Sequence, residues 1–69
     1  MVNLYFDKIT RRWVAEVDKA EDMDEAVKRI LQKAGEDPEV CEFERDNRSV
    51  VIRDSLLGWD IGLVVVREG

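Results

Sequence analysis

The chain predicts an α+β domain, with a single helix packed on one face of a mostly antiparallel four- to five-stranded sheet. The expected order is strand, strand, helix, strand, strand, strand (β-β-α-β-β-β). Three observations predict it. One stretch, Asp22 to Gly35, has apolar residues at helical spacing. The segments on either side alternate at the strand period of two. The chain has 69 residues, enough for one domain over residues 1–69 and for no internal boundary or repeat.

The helix is the best-determined element. Met23, Ala26, Val27, Ile30, Leu31 and Ala34 share one face, and the residues between them are charged or polar. Asp22 is placed to cap the first amides, with Glu25 reaching back as a capping box. Gly35 supplies a left-handed C-terminal residue, and Glu36-Asp37-Pro38 stops the helix from resuming. Asp24–Lys28 and Glu25–Arg29 are i,i+4 pairs in the favoured order.

The strands follow in order. Val2 to Asp7 turns Val2, Leu4 and Phe6 one way and Asn3, Tyr5 and Asp7 the other. After a polar turn, Lys8 to Arg12, the stretch Trp13 to Asp18 alternates again, so the two form a hairpin. Val40 to Arg45 is a third strand with Cys41 and Phe43 inward. Asp46-Asn47 is a two-residue turn candidate, because both residues tolerate positive φ. Ser49 to Arg53 carries Val50, Val51 and Ile52. Asp54 to Trp59 is a loop, and Asp60 to Arg67 is a last strand that is apolar on both faces.

One helix covers one sheet face, so the other is expected to be polar if it meets water. Tyr5, Val14, Val51, Val64 and Val66 are expected to interrupt that polarity, with Trp59 in a loop beside them. An apolar patch of this kind marks an interface. A protein with one cysteine and no histidine has neither an internal disulfide nor a zinc cluster to stabilise so small a fold. Self-association into a homodimer through the open face is therefore the leading expectation, with pairing of a free edge strand as a second route.

Composition narrows the chemistry. Without histidine, the commonest general base and metal ligand is missing. Cys41 lies at an inward strand position, and the four glycines (35, 58, 62 and 69) are too scattered for a phosphate-cradling loop. An enzyme is not expected, nor are a cofactor, a metal or a small-molecule substrate. The net charge is −5. Residues 18–46 hold 11 acids and 5 bases, while the remainder holds 5 acids and 6 bases. This acidic balance disfavours nucleic acid as a partner. It also supports an alternative in which the run from Asp18 to Asp46 acts as an acidic inhibitor, a nucleic-acid mimic of the phage or mobile-element type. With no signal peptide or membrane-length apolar run to be read, a soluble, cytoplasmic protein is expected.

Two resemblances complete the reading. Phe6 to Ala15, with Lys8, Arg11 and Arg12 before Trp13, resembles the sheet hairpin of arm-type DNA-binding domains in tyrosine recombinases. That resemblance implies a nucleic-acid contact, against which the acidic helix would repel phosphate. The dense charge, capping set and Gly-Glu-Asp-Pro stop also resemble a designed chain without biological function. Cys41 and the irregular Asp54–Trp59 loop speak against a designer's hand.

Overall fold

A computed structural model describes residues 2–67. The strands are β1 (Val2–Asp7), β2 (Arg12–Val17), β3 (Cys41–Arg45), β4 (Ser49–Asp54) and β5 (Asp60–Val66), and the helix is α1 (Met23–Ala34). The α+β class and the element order are those expected from the sequence. The five strands form one open sheet in the order β1-β2-β5-β4-β3. All neighbours pair antiparallel except β2 and β5, which run parallel. The last strand therefore inserts between the two hairpins and joins them.

The helix seats on the middle of this sheet. Met23, Ala26, Val27, Ile30 and Leu31 are its buried residues. They pack with Ala15, Val17, Val50, Ile52, Ile61 and Val64 into one core. Gly62 permits the close approach, because a Cβ built there would lie 2.7 Å from Ile30 Cγ2 and 3.1 Å from the Trp13 carbonyl oxygen.

The helix ends differ from each other in how closely they follow the sequence expectation. At the C-terminus, Gly35 adopts φ 69° and donates to the Gln32 carbonyl at 3.3 Å, while the Glu36 amide reaches Leu31 at 3.0 Å. This is a Schellman motif. At the N-terminus, Asp22 makes no side-chain cap hydrogen bond, which corrects the capping box. A turn of 3-10 helix over Ala20–Asp22 precedes α1, and the Met23 amide bonds back to the Ala20 carbonyl. The amides of Asp22 and Met23 are thus met by backbone. Glu25 pairs with Arg29 at 3.6 Å, as its spacing suggests, but Asp24 reaches across to Arg45 at 2.8 Å.

The β3–β4 turn is a second correction. Arg11 is the only non-glycine with positive φ among the described residues, so Asp46 and Asn47 do not use it. Asp46 closes the turn through its side chain, accepting from the amides of Arg48 at 2.7 Å and Ser49 at 2.8 Å. Those bonds hold its carboxyl below the usual value. Among the described residues, no helix is long and apolar enough to cross a membrane.

Candidate interaction surface

The strand register decides what the open sheet face displays. Tyr5 lies opposite Val14, Val14 opposite Leu63, and Leu63 opposite Val51. These residues form an apolar row across β1, β2, β5 and β4. A row of Asn3, Glu16, Val65 and Ser49 runs along one side of it.

Two residues expected on this face are not there. Val64 lies opposite Ala15 and Val66 opposite Val17, beneath the helix. Val64 is fully buried and Val66 packs against the core. The reason is the parity of β5. Both of its faces are apolar, and the face carrying Gly62 is the one that can accept Ile30. Leu63 and Val65 take the open-face positions instead.

The row is partly covered by the chain's own charged side chains. Glu16 accepts from Asn3 Nδ2 at 3.1 Å, Tyr5 Oη at 3.3 Å and Arg67 Nη1 at 3.2 Å. The Asn3 amide, with Arg67 beside it, holds the Glu16 carboxyl below its ordinary value. Toward the other end of the strands, Asp60 meets Arg12 at 3.4 Å and Arg53 at 3.5 Å, and Arg53 also meets Glu44 at 3.3 Å. Val14 is left only 6% exposed between these clusters. Arginine and glutamate stems cover apolar surface while keeping their charges wet.

The larger apolar exposure lies at one end of the sheet. Because β2 and β5 start at the same end, the β1–β2 turn (8–11) and the β4–β5 loop (55–59) stand next to each other there. Ile9 is 94% exposed, Leu56 80%, Leu57 71% and Trp59 60%. Trp59 therefore belongs to this end and not to the row on the open face. Ile9 was missed by sequence reasoning, and Phe6 and Arg11 entered it at this end only as part of the hairpin resemblance. The available signal was Ile9 itself, a lone apolar residue in a polar turn.

Both loops are held by carboxylates. Asp7 accepts from the amides of Ile9 at 2.9 Å and Thr10 at 3.4 Å. Asp54, itself buried, accepts from those of Leu56 at 2.8 Å and Leu57 at 3.0 Å. Backbone hydrogen bonds lower the pKa of both carboxyls. The Ser55 amide and hydroxyl add bonds to the Val40 carbonyl at 2.9 and 2.8 Å. The exposed side chains thus stand on pinned turns, so little ordering cost remains for binding.

Between these loops and the end of α1 lies a groove of about 550 Å³, lined by Phe6, Trp13, Trp59 and Ile61 with Arg11 and Lys33. Phe6 and Trp13 meet edge to face, with centroids 5.3 Å apart and planes at 70°.

Elsewhere the chemistry is quiet. The Cys41 thiol donates to the Asp37 carbonyl at 3.4 Å. Burial, then Glu36, Asp54 and Asp37, push its pKa up, the reverse of what a nucleophilic thiolate needs. Several acids of the 18–46 run are engaged in structure, Asp24, Glu25 and Glu44 in ion pairs and Asp37 and Asp46 in turns. No protein family model, curated protein or solved structure matches the chain.

Proposed function

We propose that this chain is a non-enzymatic, cytoplasmic protein-interaction module that docks through its loop end. The observation that carries the reading is the convergence of Ile9, Leu56, Leu57 and Trp59, from two separate loops, at one exposed end. Burying none of these residues in its own core, the chain leaves four large apolar side chains exposed at one end, of the kind that partners cover. The half-covered row on the open face, Tyr5 to Val51, is the weaker candidate.

Panning a displayed random-peptide library against the immobilised chain tests the proposal. Enriched peptides are expected to lose binding to a Leu56→Ser/Leu57→Ser/Trp59→Ser variant and to keep it on a Tyr5→Ser/Leu63→Ser variant. The opposite pattern, or no enrichment, would remove the loop end as a docking surface.

A second reading, a homodimer, is supported by β1. This edge strand presents Leu4, Tyr5 and Phe6 with no lysine or proline, whereas the other edge, β3, is blunted by Glu42, Glu44 and Arg45. Antiparallel pairing of two β1 strands would extend the sheet across a two-fold axis. A solution mass that doubles with concentration, and returns to monomer in Tyr5→Lys, is the expected signature.

A further inference from the structure

We infer that the groove beside Trp59 takes an acidic peptide segment carrying one aromatic side chain, an inference that rests on the loop-end reading and names its partner. Phe6, Trp13, Trp59 and Ile61 form an apolar, largely aromatic lining. A volume of about 550 Å³ is of the size that admits a planar ring together with its flanking backbone. The tilted Phe6–Trp13 pair offers both a ring face and a ring edge, the two arrangements that aromatic partners prefer.

Charge selects the rest of the ligand. In a protein of net charge −5, most of the arginines are engaged: Arg12 and Arg53 with Asp60, Arg29 with Glu25, Arg45 with Asp24, Arg67 with Glu16. Among the described residues, Arg11 and Lys33 line the groove without an ion pair. Asp60, on the same rim, is already neutralised by Arg12 and Arg53. With Asp60 so paired and Glu36 as the remaining acid, Arg11 and Lys33 leave the rim one positive charge in excess on an otherwise acidic molecule. Carboxylates flanking an inserted ring would meet Arg11 and Lys33, and a basic segment would be repelled there.

Arg11 also provides a clean variant. It holds φ 59°, a left-handed conformation in which glycine rests without strain and arginine does not. Arg11→Gly is therefore expected to fold at least as stably as the parent, so that any loss of binding is not a loss of structure.

The test is a tryptophan-fluorescence titration of the full chain with a short synthetic peptide bearing phenylalanine flanked by glutamates. Lysine-flanked and alanine-for-phenylalanine peptides serve as controls. The expected result is a saturable change for the glutamate–phenylalanine peptide that weakens as salt rises. Affinity should be at least about fivefold lower for each control peptide, for Arg11→Gly and for Lys33→Gln. Absence of saturation, equal affinity for the lysine-flanked peptide, or undiminished binding by Arg11→Gly overturns the inference. Binding of the lysine-flanked peptide that disappears in Trp59→Ala would overturn it while leaving the loop end as the docking surface. A concentration-dependent mass abolished by Arg11→Gly would place a second copy in the groove, through its own Glu42-Phe43-Glu44 edge, and would equally overturn the outside peptide.

Discussion

Replacing Gly62 by alanine would press directly on the seat of the helix. The added methyl would stand 2.7 Å from Ile30 Cγ2, 3.1 Å from the Trp13 carbonyl oxygen and 3.3 Å from Ile30 Cδ1. Ile30 has no room to retreat. It is fully buried, and its β-branch locks χ1 in a helix. The methyl must therefore lift α1 or distort β5, and overpacking of this kind costs about 1–3 kcal/mol. The gain from a less flexible unfolded chain, about 0.4–1 kcal/mol, offsets only part of it. A domain of this size holds about 3–5 kcal/mol in all. The net loss is then a sizeable share of the total, and the midpoint should fall by about 4–8 °C for each kcal/mol. Urea unfolding followed by circular dichroism measures the loss, and a thermal melt measures the midpoint. Ile30→Leu moves the branch away from Cβ and removes Cγ2, so the double variant should lose less than the two single losses combined, with a coupling of about 0.5 kcal/mol or more. Gly62→Ala within a few tenths of the parent, or strict additivity with Ile30→Leu, would mean that α1 does not rest on β5 at this point. The assignment of Val64 to the helix side would go with it.

Two further outcomes test the turns. Gly35→Ala has open space for its Cβ but must hold φ 69°, so the cost is of backbone origin, about 1 kcal/mol; Gly35→Asn should recover part of it in the same urea assay. On acidification, the carboxyls of Asp7, Asp46 and Asp54, all lowered by backbone hydrogen bonds, stabilise the fold while ionised. That contribution is complete above the ordinary value of 3.8 and disappears as pH falls through their lower folded values. Protection of the Ile9, Leu56 and Leu57 amides, relative to their intrinsic exchange at each pH, should therefore fall below that pH before that of the core amides, and uniform loss across the chain would contradict this.

Much of the architecture was legible in local pattern. The helix face from Met23 to Leu31, the Gly35 stop and the alternation of β1 and β2 are short-range properties, because periodicity and backbone freedom act over a few residues. The β1–β2 hairpin was legible too; what escaped was the place of β5 in the sheet and everything that follows from it. In the run Ile61 to Val66, both parities are apolar, so the pattern carries no sign of which face meets the helix. Only the packing of Ile30 onto Gly62 assigns it, and with it the burial of Val64 and the exposure of Leu63. At the helix N-terminus, Asp22 and Glu25 had the composition of a capping box, but a preceding 3-10 turn supplied the partners from backbone.

By itself, then, the sequence determined one helix, its strands and the acidic balance of the chain. The tertiary structure decided where the unburied apolar residues gather. Ile9 and Trp59 lie fifty residues apart in sequence. They come to the same end of the sheet because β5 returns to pair parallel with β2, which puts the starts of both strands there. No local preference encodes that return. It follows from the burial gained when a strand with two apolar faces takes the centre of the sheet, where side chains cover it on both sides.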